Sequence, residues 1–238
     1  MNVLVTGGSR GLGLVLCRDL LERGHRVGTF SRTTTREVAE LEALHGDRFS
    51  HRVLDATDDE AASAFLTDLV RDWGRVDALV LNAAVGQDSL LAHTSPAQIA
   101  RLLDVNVRAP IVLTRSFGRQ VLRRGGGGRV VVVGSIGARQ GYPGLTVYAA
   151  TKGALESFAR ALAAEMKGRL LVNVVAPGFF ESEMSSALAG EQLGSILRRT
   201  PTGSLTTPEQ VSEVVTWLLT ADTNVNGSVI TVDGGASA

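Results

Sequence analysis

At 238 residues the chain is long enough to bury a sizeable core in one α/β domain, and its single cysteine, Cys17, excludes an internal disulfide and any cysteine-based metal site. Lysine plus arginine equal aspartate plus glutamate at 24 each, so no net field draws the protein onto nucleic acid or a membrane and any anion binding has to be local. After Met1-Asn2 only three apolar residues precede Thr6-Gly7, too few for a signal-peptide core, and no run reaches the length of a membrane span, which predicts a cytoplasmic protein.

Val3-Leu4-Val5 reads as a short buried strand running into Thr6-Gly7-Gly8-Ser9-Arg10-Gly11-Leu12-Gly13, with a helical pattern from Leu12 to about Arg23. Strand, glycine loop and helix in that order make a phosphate-binding turn: glycines let the backbone approach a pyrophosphate, and the helix N-terminus offers unpaired N–H groups. Cys17, set among Leu14, Val15, Leu16 and Leu20, reads as a buried, inert thiol. A second strand, Arg26 to Ser31, ends where a dinucleotide-binding fold meets the adenosine ribose. No Asp or Glu lies between Arg23 and Arg36, whereas Arg10 and Arg32 are at hand. Arginine suits a 2′-phosphate, which favours NADP(H) over NAD(H). Arg36, at the start of the next helix, reads equally as a solvated surface residue.

The alternation continues with a helix from Arg36 to Leu44, a strand from Phe49 to Leu54 followed by Asp55, a helix from Asp59 to Trp73 and a strand from Val76 to Leu81 closed by Asn82-Ala83-Ala84. A long helix from Pro96 to Leu122 carries Asn106 near its middle. Gly125 to Gly128 form a flexible surface turn before the apolar strand Arg129 to Val133, which leads to Ser135. The spacing of Leu155, Phe158, Leu162 and Met166 predicts a helix from Tyr148, with Tyr148 and Lys152 one turn apart on one face. A cation near a phenol favours the phenolate and lowers its pKa, so this pair can do acid-base chemistry on a carbonyl held by the hydroxyl of Ser135. A strand from Leu170 to Val175 ending in Pro177-Gly178, a helix from Pro208 to Leu219 and a strand from Val229 to Val232 complete the chain. Apolar strands alternating with helices predict a single-domain, doubly wound parallel sheet of about seven strands, whose ligands sit at the strands' carboxyl ends. Gly7, Asp55, Asn82, Ser135 and Pro177 all fall at such ends.

With these residues in place, the chain resembles the short-chain dehydrogenase/reductase family over essentially its whole length. Thr6, Gly7, Gly11 and Gly13 match its glycine motif, Leu81-Asn82-Ala83-Ala84 matches its Asn-Asn-Ala-Gly segment imperfectly, and Asn106, Ser135, Tyr148 and Lys152 match its catalytic set. The resemblance implies that Tyr148 is the general acid in reduction and that Ser135 orients the carbonyl. Lys152 lowers the tyrosine pKa and binds the nicotinamide ribose, and Asn106 holds a water in a proton relay. It puts NADPH/NADP+ against Thr6, Gly7, Ser9, Arg10, Gly11, Leu12, Gly13, Ser31, Arg32, Asp55, Ala56, Asn82, Ala83, Ala84, Tyr148, Lys152, Pro177, Gly178, Phe180 and Ser182, and no metal.

Within the family, Pro177-Gly178-Phe179-Phe180-Glu181-Ser182-Glu183-Met184, Asp88-Ser89-Leu90-Leu91 and Val232-Asp233-Gly234-Gly235 look most like the 3-oxoacyl-carrier-protein reductases, although sugar, steroid and aromatic-polyketide reductases share much of this. Residues 179–199 read as a substrate lid or equally as a core helix, and Tyr142, Phe179, Met184 and Leu188 as substrate contacts. The implied reaction is reduction of a ketone, carrier-bound or polyketide-type. A free cyclic, aromatic, steroid or sugar ketone stays open as the substrate, and a non-catalytic NADP(H) sensor would be expected to lose Tyr148 or Lys152. For a carrier-bound substrate, Arg123, Arg124 and Arg169 are the candidates to receive an acidic partner beside the mouth of the site, and each reads equally as a helix-end cation favoured by the dipole. By the same resemblance the protein is a homotetramer, or a homodimer, built through its two long helices.

Overall fold

The computed structural model describes residues 1–86, 88–180 and 190–238. Seven strands form one parallel sheet: β1 (Asn2–Thr6), β2 (Arg26–Ser31), β3 (Phe49–Val53), β4 (Ala78–Leu81), β5 (Gly128–Val133), β6 (Leu170–Pro177) and β7 (Val229–Val232), in spatial order β3-β2-β1-β4-β5-β6-β7. The chain runs outward from β1 to β3, then crosses back to lay β4 on the other side of β1. The carboxyl ends of β1 and β4 therefore flank the crevice where a doubly wound sheet binds its ligand.

Period-2 alternation sends neighbouring side chains of each strand into different cores. Leu4, Leu79, Leu81, Val130 and Val132 face α3 (Asp59–Trp73), α5 (Ala109–Arg124) and α6 (Thr146–Glu165), packing against Phe65, Phe117 and Leu155. Val3, Val5, Val80, Val131 and Val133 face α1 (Gly11–Glu22), α2 (Arg36–His45) and α8 (Pro208–Thr220), packing against Leu16, Leu41 and Val215. Burial on both faces is why these strands are continuous apolar runs rather than alternating ones. Among the described residues no helix is long and apolar enough to cross a membrane.

Two elements differ from the sequence reading in ways that matter for the site. The long helix is not uniform: α4 (Pro96–Leu103) passes through a π-turn at Asp104–Arg108 into α5, and Asn106 sits at the centre of that turn. Pro110 lacks the N–H that an α-helix would donate to the carbonyl of Asn106, and the N–H of Ala109 bonds Asp104 O, five residues back. The glycine run is only partly a turn, since Gly128 already begins β5 while Gly125 and Gly126, with φ of 70° and 83°, reverse the chain after α5.

Candidate functional site

The glycine turn is fastened to both neighbours of β1. Thr6 Oγ1 accepts from the N–H groups of Asn82 and Ala83, each at 2.9 Å, and Asn82 Nδ2 donates to Thr6 O at 3.0 Å and Gly7 O at 3.2 Å. On the other side Gly8 N donates to Thr29 Oγ1 at 3.0 Å, and that hydroxyl donates to Val5 O at 2.7 Å. The turn tolerates no side chain where it folds on itself: a Cβ on Gly13 would lie 2.1 Å from Gly7 O, and one on Gly8 would lie 2.2 Å from Thr29 Oγ1. Cys17 is buried beneath Gly8, and burial pushes its thiol up to about 12, so it is inert as the sequence suggests. Helix α1, which starts at this turn with Leu12 buried behind it, has no side-chain cap at Arg10 and no acid in its first turn. Its N–H groups and positive dipole end suit an anion.

At the carboxyl end of β2, Ser31 closes the strand with its hydroxyl donating to Thr33 O at 2.8 Å and lying 2.8 Å from His51 Nε2. Thr35 Oγ1 donates to Ser9 O at 3.1 Å, tying the segment that carries the exposed Arg32 to the glycine turn. Arg36 pairs with Glu40 at 2.8 Å on the helix surface, which fits its reading as a solvated residue. Just past the end of the neighbouring β3 the Asp55 carboxyl is held below the usual carboxylate range, first by bonds from the Thr57 N–H and hydroxyl and then by the charges of Arg101 and Arg32. Ala56 packs at the margin of the core beside it.

Ser135, Tyr148 and Lys152 come together at the carboxyl end of β5. Ser135 begins a short turn, Ile136–Ala138, its Oγ accepting from Gly137 N at 3.0 Å and hydrogen bonding the Tyr148 side chain. Lys152 is buried, donates to Val133 O at 2.8 Å, and places its ammonium 5.6 Å from the centroid of the Tyr148 ring. Burial lowers the lysine from 10.5 to about 8. The phenol of Tyr148 is displaced upward by burial, with only the Ser135 bond opposing, and not downward by the lysine. The reason is geometric: the ammonium lies over the ring and is aimed at a main-chain carbonyl. Asn106 is buried, and its side chain binds protein: Oδ1 accepts from Val85 N at 2.8 Å, and Nδ2 donates to Val85 O at 2.9 Å and Thr151 Oγ1 at 3.2 Å. Thr151 in turn donates to Tyr148 O at 2.7 Å.

Pro177 ends β6, and Gly178 N donates to Val232 O at 2.8 Å, in a space where a Cβ would lie 2.8 Å from Asp233 Cβ. Phe179 meets Tyr142 edge to face with ring centroids 5.0 Å apart, forming a wall near Ser135, and Phe180 packs on the adjacent core. Burial raises the phenol of Tyr142, the charge of Arg199 at the end of α7 (Gly190–Arg199) opposing it. Ser182, Met184 and Leu188 lie outside the described residues.

The arginines expected beside the mouth of the site are elsewhere. Arg124 ends α5 and binds the main-chain oxygens of Val76 and Gly127, and Arg169 O accepts from Gly128 N. Arg123 and Arg124 lead into β5 and Arg169 into β6, so all three lie on the amino-terminal edge of a parallel sheet whose strands bring Ser135 and Pro177 to the opposite edge. A strand length of about 17–20 Å separates the two edges. Thr29, Val85, Thr151 and Thr35 support the site through partners more than 20 residues away, and no local pattern announces them.

The short chain dehydrogenase family model matches residues 1–192. The 3-oxoacyl-[acyl-carrier-protein] reductase FabG of Haemophilus influenzae is 32% identical over 235 residues, covering 98% of this chain and 96% of that one. Carbonyl reductase family member 4 of Danio rerio is 30% identical, with 98% and 96% covered. Among solved structures, a gluconate 5-dehydrogenase from Burkholderia cenocepacia in complex with NADP and tartrate superposes with a TM-score of 0.92 at 26% identity, covering 99% of this chain and 94% of that one. ElxO with NADP bound gives a TM-score of 0.89 at 27% identity, with 99% and 98% covered. The chain therefore belongs to the short chain dehydrogenase family, as an oxidoreductase of the FabG-like group acting on CH–OH and C=O groups.

Proposed function

We propose that the protein reduces a β-ketoacyl thioester, carried on an acyl carrier protein, to the β-hydroxy product with NADPH. The observation that carries this reading is the convergence of Ser135, Tyr148 and Lys152 at the strand end beside the glycine turn. The tight approach at Gly13 and the uncapped, acid-free start of α1 fit a pyrophosphate. In this reading Gly7, Ser9, Gly11, Leu12 and Gly13 line the pyrophosphate, Arg10, Ser31 and Arg32 receive the 2′-phosphate, and Asp55 with Ala56 receives the adenine. Asn82, Ala83 and Ala84 border the ribose, and Pro177, Gly178, Phe180 and Ser182 the carboxamide. The bound cofactor supplies a hydride.

The remaining chemistry belongs to the chain. Ser135 Oγ holds the carbonyl oxygen in bonding reach of Tyr148, and Tyr148 Oη donates its proton to that oxygen as negative charge develops there. An elevated phenol pKa keeps the proton in place until it is needed. Lys152, charged below about pH 8, holds the ribose and reprotonates the tyrosine. With its side chain bound to Val85 and Thr151, Asn106 has its main-chain carbonyl, which Pro110 cannot serve, to hold the relay water.

The FabG relatives at 31–32% identity support a carrier-bound substrate, and the NADP-containing neighbours support NADPH. The structural likeness to a gluconate 5-dehydrogenase favours a second reading, a free small-molecule ketone such as a sugar acid. Exposed Leu103, Ile111 and Leu122 along the long helix support self-association as a homotetramer. NADPH oxidation, followed optically, tests the assignment on matched carrier-bound and free β-ketoacyl thioesters beside a panel of sugar and cyclic ketones. A higher kcat/KM for the carrier-bound thioester is expected. Preference for a sugar ketone would select the second reading, and no turnover of any ketone would refute both.

A further inference from the structure

Arg108 lies in the π-turn two residues after Asn106 and touches none of the reacting groups. Its Nε donates to Asp104 Oδ1 at 2.9 Å, one terminal nitrogen donates to Asp59 Oδ2, and the other donates to Thr57 O at 3.1 Å. Thr57 is the residue that sets Asp55: its N–H and hydroxyl both donate to Asp55 Oδ1, at 2.9 and 2.8 Å. The other oxygen, Oδ2, lies 4.0 Å from Arg101 on a half-exposed side chain. This loop needs an outside brace because it follows β3, the edge strand, which has a neighbour on one side only. Helix α3 begins immediately after the loop, and Arg108 grips its first residue, Asp59, as well.

We propose that Arg108 is a positioning residue for the adenine end of the cofactor cleft, fixing the Asp55 carboxylate through Thr57. One π-turn then serves both ends of the cleft, because Asn106 holds Val85 and the Tyr148 helix while Arg108 holds the Asp55 loop. Regular α-helical spacing puts residues two apart on different faces, and these two residues grip different loops. The proposal rests on the dinucleotide reading above. An ion pair acting only on the surface would leave cofactor affinity untouched.

Binding of NADPH and of 2′,5′-ADP, a fragment with the adenosine and 2′-phosphate but no nicotinamide, separates the possibilities. Arg108→Met is expected to raise Kd for both ligands by the same factor, about tenfold, with kcat at saturating NADPH nearly unchanged and Arg108→Lys recovering part of the loss. Thr57→Val should give a similar shift, and the double variant should fall short of the product of the two because both act on Asp55. Should Arg108→Met fail to fold, Thr57→Val and Arg108→Lys carry the same test. Unchanged affinity for both ligands in the folded variants overturns the proposal, as does a loss confined to kcat or to NADPH without the fragment. If the wild type itself binds neither ligand, the dinucleotide reading falls and this proposal with it.

Discussion

Asn106 exchanges two hydrogen bonds with the main chain of Val85, accepting from its N–H at 2.8 Å and donating to its carbonyl at 2.9 Å. A helix side chain thus stands in for the neighbouring strand that the loop after β4 no longer has. Asn106→Ala leaves the part-buried N–H and carbonyl of Val85 without their partner and removes the buried bond to Thr151, and is expected to cost about 1–3 kcal/mol of stability. Urea unfolding measures this; a loss below about 0.5 kcal/mol would mean that water replaces the bonds without penalty.

Lys152 couples stability and activity to pH. Its folded value of about 8 lies below its ordinary 10.5, so between those values the unfolded chain binds the extra proton. Stability relative to a neutral replacement therefore rises with pH across that window. Comparing wild type with Lys152→Met, the difference in unfolding free energy should move in favour of wild type by about 3 kcal/mol from about pH 7 to about pH 10.5. Over the same range ketone reduction by the wild type should fall as the ammonium loses its proton above about pH 8. A pH-independent stability difference would show that the buried amine keeps its ordinary pKa.

Preference for NADPH over NADH should narrow by tenfold to a hundredfold in Arg32→Ala, since charge-assisted bonds to a phosphate contribute about 1.5–3 kcal/mol. Arg36→Ala should leave the preference intact, because that side chain is already paired with Glu40. Dissociation constants for both cofactors decide the matter, and equal wild-type affinities would refute the assignment of Arg32.

Arg124→Glu tests the corrected placement of the basic residues. Its guanidinium, whose pKa burial pulls down, binds Val76 O and Gly127 O on the edge away from Ser135. The substitution should lower the melting temperature and leave KM unaffected for carrier-bound and free thioesters alike. A selective rise in KM for the carrier-bound substrate would restore this surface as a docking site.

The strands, the glycine turn and the pairing of Tyr148 with Lys152 were legible because each rests on a local pattern: an apolar run, a glycine spacing, a one-turn separation. The π-turn was not, although Pro110 was its visible cause, because a single proline within an apolar helical pattern does not reveal how the helix absorbs it. Nor did sequence alone reveal the direction of the Tyr148 shift. It depends on burial and on where Lys152 points, and both arise from packing between β5 and α6. The arginines were misplaced for a topological reason. Being near a catalytic helix along the chain says nothing about which edge of the sheet a helix end occupies.

Tyr148→Phe removes the transferable proton and little else, so it tests the proposed chemistry most directly. NADPH binding should match that of the wild type, while kcat for ketone reduction should fall by about 10²–10⁴, the usual contribution of a positioned acid. Turnover within a few-fold of wild type, with cofactor bound, would contradict the assignment of Tyr148 as the proton donor.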